Sequence, residues 1–545
     1  MKARILFHSI ALLSVALGLL VATGYGQIAA GSCENLKGLK IPETAIVSAQ
    51  SIDAGDFMPP GRGMALGGGQ PPFGGPPDAG RGAKPDIGRG PMGATKALPA
   101  FCRVIGVVQP AINFEVWLPP ASGDKRWNGK FNGVGNGGLA GSISYDAMMQ
   151  SLTRGYATAS TDTGHVDKIG NDSWALDEKL IVDFASRSIH MTAVAAKAVI
   201  RAYYNQEPQY SYFTGCSGGG GQALSEAQRY PDDYNGIVAG APANYPTHLW
   251  PGELYAAWAT HRDAANLIPN EKLHVITNAV LEACDALDGV KDGVLDDPRR
   301  CDFDPAKIQC SGADGPGCLT AAQVDSVRKI YEGAKDPSTG KPFWYGYEMS
   351  SETFWPGHIN NPFGTPLSYF KFMVLKDSGW DWKNFSFADP RNFELMDEAS
   401  KKLGPVLDST NPDLTSFKKR GGKLIMYHGW LDQNIAPRNS IQYFESVQKK
   451  MGGEKQTQDF ARLFLAPGMT HCGGGPGPNT LDALSSLEQW VEKAKAPDQI
   501  IATHSSGGKV DRARPLCPYP QVAKYKGTGS TDAAASFVCS LEEMP

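Results

Sequence analysis

Tyr210-Ser211-Tyr212-Phe213-Thr214-Gly215-Cys216-Ser217-Gly218-Gly219-Gly220-Gly221 is the stretch that decides how this chain folds. Residues 210–214 favour a strand and run straight into glycine. Beyond them, 221–229 is rich in helix formers and 236–241 is again strand-like. A strand, a sharp glycine turn and a helix form the setting in which the serine of a G-x-S-x-G pattern projects from the end of a sheet. Working outward, 104–108, 114–118 and 156–161 have the composition of strands, and 187–204 spaces its apolar residues as a helix does. Further on, 423–427 predicts a strand, 438–449 a helix and 462–466 a strand. The predicted fold class is therefore α/β.

The pattern breaks between its two halves. Residues 244–410 hold four of the ten cysteines and many aromatics, among them Trp344, Tyr345, Trp355, Phe363, Tyr369, Phe370, Trp380 and Trp382. We expect a core made of 98–243 and 411–545, with 244–410 inserted as a large lid. Its aromatics would furnish an apolar slot, most of them serving as lid core. Residues 1–26 have the form of a signal peptide: Lys2 and Arg4, an apolar run, then small residues. The N-terminal segment 27–97 contains a Gly/Pro-rich insertion, 54–95, with no hydrophobic period, which predicts a surface loop.

A serine hydroxyl needs a base, and the base needs a third group to hold its tautomer. In the α/β-hydrolase plan these follow in the order Ser, acid, His, each where a strand opens into a loop. Here the order is Ser217, Asp432, His471, and both later residues come just after a predicted strand. His428 is expected to line the pocket, and His165 has an equal claim to be a turn residue. The oxyanion of a tetrahedral intermediate needs two N–H donors. Gly218 follows the nucleophile, and the loop Asn136-Gly137-Gly138-Leu139-Ala140-Gly141 offers Gly138 as the second, with Gly137 next.

Cys216 and Cys472 each adjoin a candidate catalytic residue. If they are bonded, their Cα atoms lie about 5.5–6 Å apart. Adjacent Cα atoms are about 3.8 Å apart, so Ser217 and His471 would then be within side-chain reach. Export makes disulfides the expected state of the cysteines, and no zinc-type spacing is present. The formal charge of −4 over 545 residues implies no broad basic surface for nucleic acid. The apolar run near the start is short for a membrane span, so no stable membrane association is expected after cleavage.

Between Cys284 and Val294, Asp285, Asp288 and Asp292 alternate with turn-forming glycines. With the carbonyls of Val290 and Val294 they offer an oxygen shell for Ca²⁺, although the spacing is not that of an EF-hand. A solvated Asp-Gly turn explains the spacing equally well.

These features together resemble the tannase and feruloyl esterase family of α/β-hydrolases, which also includes the bacterial hydrolase of mono(2-hydroxyethyl) terephthalate. The resemblance is carried by Gly-Cys-Ser-Gly-Gly-Gly at 215–220, Tyr-His-Gly-Trp-Leu-Asp at 427–432, Pro-Gly-Met-Thr-His-Cys at 467–472 and the acidic loop at 284–294. It covers the chain after the signal peptide except the 54–95 insertion, which departs from better-known members. It implies a Cys216–Cys472 disulfide, structural calcium held by Asp285, Asp288, Val290, Asp292 and Val294, and the further pairs Cys33–Cys102, Cys284–Cys301, Cys310–Cys318 and Cys517–Cys539. It also implies a secreted or periplasmic esterase acting on small aromatic esters, such as feruloyl or galloyl esters, through an acyl-enzyme. A terephthalate monoester is the alternative substrate and would call for a lid arginine, with Arg262, Arg299, Arg300, Arg328 and Arg391 as candidates. A calcium-stabilised binding protein without turnover is the rival from another class.

Overall fold

The strand that carries the Gly-Cys-Ser turn lies inside a nine-stranded sheet. The computed structural model describes residues 32–60, 98–166 and 172–541. In chain order the strands are β1 (Thr44–Ile52), β2 (Phe101–Val108), β3 (Ile112–Leu118), β4 (Lys130–Val134), β5 (Ala157–Thr161), β6 (Tyr210–Cys216), β7 (Gly236–Gly240), β8 (Lys423–Gly429) and β9 (Ala461–Ala466). They lie side by side as β1-β2-β3-β5-β4-β6-β7-β8-β9. The first three pairings are antiparallel, and every pairing from β5 through β9 is parallel.

Successive residues of a strand face opposite sides of the sheet. Phe213 of β6 accordingly enters a core with Ala193 and Val199 of the helix Ser188–Tyr204 and with Leu224 of the helix Gly218–Arg229. Its neighbour Tyr212 enters the opposite core, against Leu484, Leu487 and Trp490. Parallel strands covered on both faces read as continuous apolar runs, and β7 (Gly-Ile-Val-Ala-Gly) is buried throughout.

Two strands of this sheet escape the sequence reading. β4 contains Asn132 and Gly133, poor strand formers, yet pairs with both β5 and β6. Asn132 is tolerated there because its amide donates to Ser151 Oγ and Thr214 Oγ1. β1 is an edge strand with one exposed face. The segment between β7 and β8 is helical, with Pro246–His261, Asn270–Cys284, Ala321–Glu332 and Pro390–Leu407 its longest elements. Trp344, Tyr369, Phe370, Trp380 and Trp382 pack in or against one hydrophobic cluster there, and Trp355 in another. The signal-peptide segment and most of the 54–95 insertion lie outside the described residues.

All five cysteine pairs expected from the resemblance are bonded: Cys33–Cys102, Cys216–Cys472, Cys284–Cys301, Cys310–Cys318 and Cys517–Cys539. Among the described residues, no helix is long and apolar enough to cross a membrane.

Candidate active site

β6 ends at Cys216, and the helix begins at Gly218. Ser217 between them has φ 64° and ψ −126°, a conformation that L-residues rarely adopt. Its backbone is pinned on both sides: its N–H donates to Gly240 O, and its carbonyl accepts from Gly221 and Ala243. The glycines are needed because strand and helix nearly touch. A Cβ on Gly215 would fall 2.3 Å from Gly219 O.

β8 delivers the acid. Asp432 is wholly buried, and its Oδ1 accepts the N–H groups of Asn434 and Ile435 at 2.8 and 2.9 Å. Its Oδ2 meets Nδ1 of His471 at 2.8 Å. Burial alone would raise the Asp432 pKa, but the charge and hydrogen bonds of His471 and His428 outweigh it and hold the carboxyl well below its ordinary range. A carboxylate only accepts, so His471 carries its proton on Nδ1 and leaves Nε2 free as a base.

His428 is a correction to the sequence reading. It does not face the pocket; it is wholly buried beneath it. Its Nε2 donates to Asp432 Oδ2 at 3.1 Å and to Ile435 O at 2.9 Å, while Nδ1 accepts from Ser440 Oγ at 2.7 Å. It therefore steadies the acid and touches no ligand space.

Ser217 and His471 open into one cleft of about 720 Å³, in the usual range for a small-molecule site. Its walls include Gly138 and Gly218, the aromatics Tyr145, Phe184, Trp250 and Phe363, and the buried Glu253. Gly138 and Gly218 pack backbone to backbone, for a Cβ on Gly218 would come within 2.9 Å of Gly138 O. Of the aromatics singled out between 244 and 410, only Phe363 reaches this wall. Tyr145, Phe184 and Trp250 were missed; Trp250 had a signal, since 246, 249, 250 and 253 share one helical face.

The candidate arginines are engaged elsewhere. Arg262 pairs with Asp325, Arg299 with Asp297, Arg328 with Asp304 and Arg391 with Asp389, and Arg300 donates to Leu287 O. Among the described residues, no arginine or lysine lines the cleft.

In the acidic loop, Asp285 accepts the N–H of Gly293 with both oxygens at 3.0 Å and that of Val294 at 3.2 Å. Asp292 Oδ2 meets the buried Arg514 at 2.6 Å. Asp288 Oδ2 and Asp292 Oδ1 are buried without a partner. Burial, with Asp292 adding to it, pushes the Asp288 carboxyl up to about 6. Among the described residues, no three His, Cys, Asp or Glu side chains converge as a ready metal cluster.

A largely parallel sheet with a serine elbow at the end of β6 and an Asp–His pair after β8 and β9 has the arrangement of an α/β-hydrolase, the class to which carboxylic ester hydrolases of this kind belong. The family model for tannase and feruloyl esterase matches residues 96–540, and the chain belongs to that family. It is 38% identical to a probable feruloyl esterase of Arthroderma benhamiae, over 78% of this chain and 82% of that one. It is 32% identical to the mono(2-hydroxyethyl) terephthalate hydrolase of Piscinibacter sakaiensis, over 82% of this chain and 85% of that one. The crystal structure of feruloyl esterase B from Aspergillus oryzae superposes with a TM-score of 0.78 at 26% identity, covering 93% of this chain and 99% of that one.

Proposed function

We propose that this protein is an exported esterase that cleaves esters of phenolic acids, feruloyl or galloyl esters being the type, with 244–410 serving as the lid over the site. The observation that carries the reading is the Asp432–His471 pair sharing a cleft with the Ser217 elbow. Ser217 Oγ attacks the ester carbonyl as His471 Nε2 takes its proton, and the carbonyl π electrons move onto oxygen. The N–H of Gly218 and a donor from the Gly138 turn stabilise that oxyanion. Collapse expels the alcohol, which takes its proton from His471, and leaves an acyl-Ser217. Water, activated by His471, then releases the acid. The tightly held Asp432 orients His471 and stabilises its charged form at both steps.

The lining favours a neutral phenolic acyl group over a terephthalate monoester, because the latter's free carboxylate would meet no cationic side chain among the described wall residues. A binding protein without turnover would have no use for the strained Ser217 or the deeply buried Asp432. Calcium fits the acidic loop on chemical grounds. One oxygen each of Asp288 and Asp292 is left for a ligand, and the carbonyls of Val290 and Val294 can add hard oxygen donors. Asp285 holds the loop's N–H groups in register for it. When bound, calcium supplies structural charge balance and takes no part in ester cleavage.

The test is hydrolysis of methyl ferulate, methyl gallate and a terephthalate monoester by purified protein and by Ser217→Ala. Turnover of the phenolic esters that vanishes in the variant is the expected result. Failure on every aromatic ester, or an active variant, overturns the proposal.

A further inference from the structure

The helix Pro246–His261 turns one face to the cleft. Pro246, Leu249, Trp250 and Glu253 recur at helical spacing, all four are buried, and all four line the wall. Three of them are apolar. Glu253 is 5% exposed, and its Oε2 has no hydrogen-bond partner. Burial, and after it the Asp432 carboxylate, push the pKa of this carboxyl upward and so favour its neutral form. A neutral carboxyl presents one O–H donor and a carbonyl acceptor together.

Glu253 is not alone in lacking a partner. Asn434, also in the cleft wall, has a buried Oδ1 with no well-formed hydrogen bond, its side chain lying beside His358. Tyr347 OH is buried and unpartnered too, and its ring lies 6.3 Å from that of His358, whose Nδ1 makes no well-formed hydrogen bond. Native proteins leave few buried polar atoms unsatisfied, so several around one site call for an explanation. Of these residues, Glu253 and Asn434 are the two that line the cleft: a carboxyl whose neutral form burial favours, and an amide.

We propose that Glu253 and Asn434 form a polar subsite of the cleft that hydrogen-bonds a ring hydroxyl of the phenolic ester and so sets acyl specificity. A phenol donates one hydrogen bond and accepts others, which matches that pair. A site built to bond a hydroxyl discriminates against the analogue that lacks it, because its own polar groups are then left unpaired. The inference rests on the phenolic-ester reading above.

The experiment compares kcat/KM for methyl 4-hydroxycinnamate and methyl cinnamate in the wild type, Glu253→Gln, Glu253→Leu and Asn434→Ala. The expected ratio of hydroxylated to unsubstituted ester falls about tenfold to a hundredfold in Glu253→Leu, less in Glu253→Gln, and at least severalfold in Asn434→Ala. The isosteric Glu253→Gln keeps the test available if the leucine variant does not fold. A ratio unchanged within about twofold in all folded variants overturns the subsite. A shift seen instead between methyl and 2-hydroxyethyl esters of one acid also overturns it, placing these residues on the alcohol side. A wild-type protein inactive on both cinnamates counts against the phenolic-ester reading itself.

Discussion

The Cα atoms of Cys216 and Cys472 lie 5.9 Å apart, bonded across 256 residues of sequence, and each cysteine is the chain neighbour of Ser217 or His471. The bond ties the elbow at the end of β6 to the loop that follows β9, three places away in the sheet. Apart from the main chain, no other covalent link among the described residues joins Ser217 to His471.

Replacing both cysteines by alanine should therefore harm catalysis more than folding. In the chain-entropy account a crosslink closing so long a loop contributes on the order of 5 kcal/mol, with native strain and residual structure often reducing it. Misplacing a base by about 1 Å can cost about a hundredfold in rate. We expect kcat to fall at least tenfold in protein that is still folded by circular dichroism. Activity and folded fraction falling in equal proportion would show that the bond serves the fold alone.

His428 gives a second test. Its Nε2 is one of the groups that hold Asp432 Oδ2, and Oδ2 is also the oxygen that faces His471. Removing it in His428→Leu leaves the acid with fewer donors in a fully buried place and loosens the His471 ring. We expect kcat to drop roughly ten- to a hundredfold with KM little changed, since the residue touches no substrate. A rise in KM at constant kcat would instead put His428 in the binding wall.

The pair also shows what could be read from residues alone. The placement of Ser217, Asp432 and His471 at strand ends is legible because an elbow demands glycines and because loops after parallel strands have recognisable edges. The position of His428 was misjudged for a physical reason. A histidine one residue before the end of a strand can point to either side, and only the partners Ser440 and Ile435 decide which. β4 was invisible because its burial comes from strands on both sides rather than from its own Asn132 and Gly133. The aromatics named between 344 and 382 advertise a slot, yet all of them but Phe363 fill space away from the cleft, while Trp250 lines it. Glu253 is a lone acid on an apolar helical face, a pattern that composition alone reads as solvent-facing.

Calcium should raise thermal stability, and chelation should lower it. A ligand present at a hundred times its Kd stabilises by about 2.7 kcal/mol, a shift of a few degrees in Tm for a chain of this size. Asp288→Asn and Asp292→Asn each remove a carboxylate charge from the loop, so we expect the calcium-dependent part of Tm to shrink or vanish in both. Differential scanning calorimetry with EDTA and with added CaCl₂ reads this directly. Equal Tm values in the two buffers would remove calcium from the account, and a calcium response preserved in both variants would move its site elsewhere.

Acid should destabilise the protein through two histidines outside the Asp432–His471 pair. Burial pushes His358 down to about 4, with Asp432 and Asn434 pulling upward and His471 downward. Burial likewise lowers His248 to about 4, opposed by Asp397. In the unfolded chain both titrate near 6.5. Between about pH 6.5 and 4 the unfolded state thus binds more protons than the folded one, so stability falls as pH falls through that window. Full protonation of the unfolded state below the folded value costs at most about 3 kcal/mol per histidine. Urea unfolding at pH 7, 5.5 and 4.5 should show a shallower pH dependence in His358→Gln and in His248→Gln than in the wild type, and shallower still in the double variant. Slopes that coincide across all four proteins would mean these rings are already charged in the fold.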